Sequence, residues 1–363
     1  MVMPAFFSKT KERPGKSLGV LFISSGGLGD TVLLSLIVNR LCQIAAPDES
    51  ITLVLRHDAA KMAFLFNDRI TILPIDYTAF QKTRSHRKAI SDQLYAANFR
   101  LVVSTDYLRH PKLDDAFVKA CAAPEVLAME PRSWAKYDKE LTKNRALYSR
   151  LFDSGPVHLD KVLRWTRFAN WLTETEQTSP LVRLPEERVK VAMPYPRPTV
   201  ILVPFSAVKE KQSPPEVYAQ IMTHLGVDYD FIIAGAPGDL DANPEYKFLL
   251  EHPNVQFDGA IFEDLAPKLK QAQLVVSVDT ATMHLAVVAG APTICLASAA
   301  YVGEIVPYAP EITPENVRFI YTPIDCEGCL GSCHLPAENG MFPCVARLPE
   351  TRTLAAIDEV LLE

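Results

Sequence analysis

Residues 274–296 read LVVSVDTATMHLAVVAGAPTICL. The apolar, valine-rich run at 274–278 stops at Asp279 and Thr280. The following ten residues space their apolar positions helically until Gly290 and Pro292 end the pattern. This predicts a buried strand, a polar corner and a helix. Free backbone N–H groups and the helix dipole at such a corner favour an anion, and Thr280 can cap the helix or touch the ligand. His284 falls about one turn into the helix, on the side a ligand at the corner would reach. A plain capped helix with a satisfied histidine has the same sequence.

The same unit recurs throughout the chain. Residues 18–23, LGVLFI, run into SSGGLGD at 24–30 and then into a helical stretch. Glycines in this turn, Gly27 and Gly29 among them, let backbone approach a ligand at the helix start. The turn lacks both the G-x-G-x-x-G spacing of dinucleotide sites and a P-loop lysine. Asp30 closes it, placed either to cap the helix or to take a proton from a hydroxyl. Further strands are expected at 51–56, 70–76 and 99–106, and residues 131–172 read as helical and rich in Lys and Arg. Proline-dense MPYPRP at 193–198 marks a linker. The second half starts over, with a strand and turn at 198–207 and a strand and glycine turn at 229–239. Lys209 and Lys211 both lie between the first of these strands and a helix near Pro214, where a lysine can meet a phosphate. Alternating strands and helices in both halves predict an α/β protein of two Rossmann-like domains facing a central cleft.

At 363 residues and net charge −6, with 48% hydrophobic residues, the composition is that of a globular protein with large cores. No apolar run approaches the roughly 20 residues needed to span a bilayer, and the charged start does not read as a signal peptide. A flexible tail over 1–17 and a cytoplasmic location are expected. The charge is uneven: net +1 over 1–80, +7 over 81–170 and −14 over 171–363. The basic segment suggests an anionic partner or membrane surface, or simply solvated helix faces. Cys42, Cys121 and Cys295 stand alone in apolar or helical surroundings, whereas Cys326, Cys329, Cys333 and Cys344 form C-x2-C-x3-C-x10-C. That spacing suits a structural zinc or iron site; reduced thiols and disulfides are the alternatives.

Together these pieces resemble the ADP-heptose:lipopolysaccharide heptosyltransferases, glycosyltransferase family 9. SSGGLGD matches the family's first turn through Gly29 and Asp30. KQSP at 211–214 matches its K-x-W-P element at Lys211 and Pro214, with Ser213 in place of tryptophan. DTATMHLA at 279–286 matches D-[ST]-G-x-x-H-x-A at Asp279, Thr280, His284 and Ala286, with Ala281 in place of glycine. The resemblance implies a GT-B fold and an inverting transfer from a nucleotide-sugar donor, ADP-heptose, to a hydroxyl of an anionic glycolipid or glycan such as a lipopolysaccharide core. Nucleic acid has no place in this scheme. It implies Asp30 as base, and Lys211, Asp279, Thr280, Ala281 and His284 on the donor side. No cofactor is required for the transfer, because a helix end and a lysine offset the leaving-group charge.

The resemblance further implies an acceptor-side domain at 18–180, a linker at 181–198 and a donor domain at 199–349. The amphipathic segment 350–363 would pack back on the first domain, and contact with the cytoplasmic face of the inner membrane would be peripheral. Similar cysteine-rich tails recur in the family and imply a structural role without naming a metal. Ser213 and Ala281 leave open a different donor sugar, or a non-catalytic glycan- or sugar-nucleotide-binding protein. An NAD-dependent oxidoreductase is disfavoured by the missing fingerprint.

Overall fold

The computed structural model describes residue 13 and residues 15–190 and 192–362; most of the expected tail, 1–12 and 14, lies outside them. Two six-stranded sheets organise the chain, and every paired strand in them runs parallel. The first contains β1 (Val20–Ile23), β2 (Ile51–Arg56), β3 (Ile70–Ile75), β4 (Leu101–Ser104), β5 (Glu125–Met129) and β6 (Arg150–Phe152), in the order β3-β2-β1-β4-β5-β6. The second contains β7 (Thr199–Val203), β8 (Asp230–Ala234), β9 (Val255–Asp258), β10 (Leu274–Val278), β11 (Thr293–Leu296) and β12 (Val317–Ile320), in the order β12-β11-β10-β7-β8-β9.

Counted within its own sheet, each order is the doubly wound 3-2-1-4-5-6 arrangement. Its direction reverses between β1 and β4 in one sheet and between β7 and β10 in the other. These four central strands are buried at every position, which explains their mostly apolar sequences: a parallel sheet is covered on both faces. Ligands in such sheets bind beyond the carboxyl ends of the strands at the reversal.

The chain divides into two compact units that do not follow sequence order. One holds the first sheet, with 45–57 and 68–153. The other holds the second sheet together with Gly26–Ile44, Asp58–Asn67 and the chain from Ser154 onward. Helix Leu28–Leu34 joins the second unit because it packs on helix Ala281–Ala289.

Two expectations are corrected. The basic stretch 131–172 is not continuous helix: helix Asp138–Asn144 and a short 3-10 turn are followed by β6, and helix Lys161–Thr173 begins only afterwards. The terminal helix, Glu350–Leu362, packs on the second sheet, where the expectation set it against the first domain. Its Ala356, Ile357 and Val360 enter the core of the second sheet, beside Tyr218, Ile221, Leu296 and Ile320. A stripe of apolar residues fixes that a helix is buried on one side but does not say against which sheet.

Candidate active site

Strand β10 delivers Asp279 and Thr280 to the reversal point of the second sheet. Thr280 is the N-cap of helix Ala281–Ala289 with an extended backbone (φ −148°, ψ 169°), and its hydroxyl makes no capping bond. The cap therefore leaves the hydroxyl and the first-turn N–H groups free of an intrahelical partner. Gly290, at φ +90°, ends the helix. Asp279 is ion-paired: Lys211 Nζ donates to its Oδ2 at 2.7 Å, with both side chains largely buried. The Lys211 ammonium also lies 4.3 Å from the centre of the Tyr301 ring. Lys209, indistinguishable from Lys211 in sequence, turns elsewhere and donates to Gln212, Asn243 and Glu245.

Asp30 occupies the first turn of helix Leu28–Leu34, whose N-cap is Gly27. The Gly27 N–H donates to Asp30 Oδ2 at 2.7 Å, so the carboxylate does cap the helix. Its other oxygen, Oδ1, accepts from Lys161, the first residue of helix Lys161–Thr173. Burial pushes the Asp30 carboxyl up, but the charge and hydrogen bond of Lys161, with the Gly27 amide, outweigh it and hold it below the usual carboxylate range. Asp30 is thus ionised at neutral pH. Its side chain keeps 23% exposure, enough to be approached from solvent.

Gly29 brings the two helices together. A Cβ built there would lie 2.9 Å from His284 Cδ2 and 3.8 Å from the Ala281 Cα. Glycine is required by this close approach, since a methyl would enter the imidazole. His284 itself is 4% exposed, and its Nδ1 lies 2.6 Å from the Tyr308 hydroxyl. Burial pushes the imidazole down to about 4; Asp279 and Asp30 pull it up, and Lys211 and Lys161 push it further down. The ring is neutral at pH 7 and sits among both ion pairs.

A cavity of about 690 Å³ opens beside this cluster, beyond the ends of β7 and β8. Thr280, Ala281 and Thr282 form its helical wall, and Phe64, Phe205 and Phe262 supply aromatic surface. Its size and its apolar lining with few polar groups suit a nucleotide-sized ligand. Among the sequence-predicted residues, Thr280 and Ala281 line it; Asp30, Lys211, Asp279 and His284 are not among its lining residues. Lys161, Tyr301 and Tyr308 escaped sequence reading. A lysine opening a helix or a lone tyrosine has no motif, and the aspartate N-cap before Lys161 marks only the helix start.

The four clustered cysteines gather in one segment as free thiols, with Cys326 and Cys333 sulfurs 3.9 Å apart. Tetrahedral zinc with Zn–S near 2.3 Å separates its sulfurs by about 3.8 Å, so this pair fits one edge of such a site. Among the described residues, no group of three or more His, Cys, Asp or Glu is arranged to hold a metal. Burial and the neighbouring thiols push Cys326 up to about 11 and raise Cys344.

The family model for glycosyltransferase family 9 (heptosyltransferase) matches residues 135–319, about half of the chain and most of the helices and strands that carry this cluster. The chain belongs to that family. As a family 9 protein it is a glycosyltransferase, and solved structures agree in fold. The glycosyltransferase family 9 protein of Veillonella parvula DSM 2008 superposes with a TM-score of 0.69 at 15% identity, over 96% of this chain and 98% of that one. Escherichia coli heptosyltransferase WaaC, solved with ADP-2-deoxy-2-fluoro heptose, gives 0.65 at 17% identity over 94% and 99%. The iron-containing dodecameric glycosyltransferase TibC of enterotoxigenic E. coli H10407 gives 0.53 at 12% identity over 95% and 76%. These likenesses establish the GT-B fold. No curated protein matches the chain in sequence.

Proposed function

We propose that this family 9 glycosyltransferase moves heptose from ADP-heptose to a hydroxyl of a lipopolysaccharide core or related anionic glycan, with inversion. The observation that carries the reading is the seat of Gly29 on His284, which sets the Asp30 turn against the helix whose N-terminus opens on the cavity. In this reading the nucleoside base lies among Phe64, Phe205 and Phe262. The diphosphate meets the Thr280 hydroxyl and the N–H groups at the start of helix Ala281–Ala289, with Lys211 close behind. Asp30 takes the acceptor proton as the hydroxyl attacks the anomeric carbon, and the nucleoside diphosphate leaves with the bonding pair. Its charge is offset by the helix end and by Lys211, so the step needs no metal.

Among the described residues no helix is long and apolar enough to cross a membrane; the proposed setting is the cytoplasm, with peripheral contact at the inner membrane where a glycolipid acceptor resides. The cysteine segment is read as a structural zinc or iron site, in which Cys329 and Cys344 would have to close on the Cys326–Cys333 pair and all four thiols give up their protons to the metal. Less than a tenth of an equivalent of either metal in purified protein, with all four thiols titratable, overturns that part.

The decisive experiment pairs donor screening with an Asp30 variant. ADP-, GDP- and UDP-sugars are ranked by the melting temperature they confer, since a ligand of the folded state raises it by mass action. Asp30→Ala is expected to keep nucleotide binding and lose transfer by about 10²–10⁴-fold, the range of general-base contributions. Near-normal turnover in Asp30→Ala excludes it as the base. Binding without any transfer or donor hydrolysis in the unaltered chain favours a non-catalytic sugar-nucleotide-binding protein instead.

A further inference from the structure

The segment 321–348, which carries all four clustered cysteines, is bonded to two separate turns of the site. The N–H groups of Gly328 and Leu330 donate to the carbonyls of Ala299 (2.9 Å) and Ala300 (2.7 Å), stitching the cysteine loop onto the short 3-10 turn Ala299–Tyr301. The Phe342 N–H donates to the Glu210 carbonyl at 2.9 Å, within the 3-10 turn Lys209–Lys211. A small apolar cluster of Ala299, Cys344 and Val345, flanked by Ile324 and Phe342, closes the junction. Each of the two turns contributes one partner to a single contact: the Lys211 ammonium over the face of Tyr301.

Gly331 completes the arrangement. It sits at φ +83°, and a Cβ there would lie 3.0 Å from the Tyr301 hydroxyl but 3.8 Å from the ring carbon that carries it. The loop backbone thus abuts the outer end of the Tyr301 ring while the ring face holds the ammonium. Lysine is a point charge on a flexible four-carbon stem. An aromatic face restrains it electrostatically and by packing, and a restrained cation binds an anion with less ordering cost.

We propose that Tyr301 is a positioning residue for Lys211, that the cysteine-bearing segment holds Tyr301 in place, and that together they set the affinity of the site for the diphosphate of a nucleoside diphosphate. The inference rests on the donor site proposed above. It gives the cysteine segment a role in the transfer reaction that requires no contact between the segment and substrate.

Affinity for whichever of ADP, GDP and UDP the unaltered chain binds most tightly, measured by calorimetry, tests it. Tyr301→Phe keeps the aromatic face and is expected to bind within about twofold of the unaltered chain. Tyr301→Leu keeps apolar bulk without the face and is expected to bind about three- to tenfold more weakly, in the range that cation–π contacts supply. Gly331→Ala is expected to weaken binding, and to do so less when combined with Tyr301→Phe, because the hydroxyl it would meet is gone. Equal affinity of the Leu and Phe variants overturns the positioning role. A Gly331→Ala effect that is the same in both backgrounds overturns the part played by the loop, and this comparison stands even if Tyr301→Leu does not fold. Failure of the unaltered chain to bind any of the three nucleotides overturns the donor site itself, and this inference with it.

Discussion

Lys161 donates from its ammonium to Asp30 Oδ1 while the Gly27 amide occupies Oδ2, so the carboxylate of the proposed base is both an ion-pair partner and a helix cap. The two roles act on basicity in the same direction. Each stabilises the anion, which keeps Asp30 ready to accept a proton at neutral pH, and each makes it a weaker base. A hydroxyl that displaces Lys161 on binding would free the oxygen and restore basicity.

Removing Lys161 leaves burial as the dominant influence on Asp30 and raises its pKa. In Lys161→Met the acid limb of the kcat/KM profile is expected to move to higher pH, because more of the carboxyl is protonated at a given acidity. An unmoved limb would show that Asp30 does not govern it.

Gly29→Ala tests the meeting of the two helices. The added methyl would lie 2.9 Å from His284 Cδ2, and the imidazole is buried and tied to Tyr308, so it has little freedom to give way. Destabilisation of about 1–3 kcal/mol is expected from overpacking, reduced by the better helix propensity of alanine. Urea unfolding of the variant measures it; equal or greater stability would mean that the helices part without cost.

How much of this was legible in the sequence follows from burial. The central strands β1, β4, β7 and β10 are covered on both faces and announce themselves as apolar runs. The edge strands β6 and β9 are three and four residues long and only partly buried, so RLF and VQFD carry no pattern that separates them from helix or loop. In the candidate site, Asp30, Thr280 and His284 sit at fixed places in strand–turn–helix units, whereas Lys211 is distinguished in sequence from Lys209 by the family resemblance alone. Lys161 and Tyr301 act through space on those residues from distant parts of the chain, and sequence spacing holds no record of that. The course of the terminal helix is not legible either: Ile357 is apolar in either packing.

Asp114 in the first compact unit offers a separate test. Its Oδ2 accepts from the His110 amide at 2.7 Å, whereas Oδ1 is buried without a hydrogen-bond partner. Burial and the nearby Asp106 carboxylate push its pKa up to about 7. The folded state therefore binds a proton that the unfolded chain releases near 3.8. Its contribution is present below pH 3.8 and is lost as pH rises through 7. Asp114→Asn mimics the protonated form, so it is expected to raise the urea midpoint at pH 8 and change it little at pH 4. A midpoint shift of equal size at both pH values would assign the effect to packing.

His284 has the opposite slope over nearly the same range. Its folded pKa of about 4 lies below the ordinary 6.5, so between these values the unfolded chain binds more protons and stability falls as the solution is acidified. The full difference is on the order of 3 kcal/mol. It is intact above pH 6.5 and spent once pH drops below about 4. Because Asp114 gains stability with acid while His284 loses it, the unaltered chain is expected to show a shallow net dependence between pH 4 and 6.5. Single variants expose the two components. His284→Gln keeps a polar group near the Tyr308 hydroxyl but cannot titrate, so its urea midpoint should fall less on acidification than that of the unaltered chain. If both chains follow the same curve across that window, the imidazole takes up a proton in the folded state as readily as in the unfolded one, and the neutral ring placed at the centre of the two ion pairs is wrong.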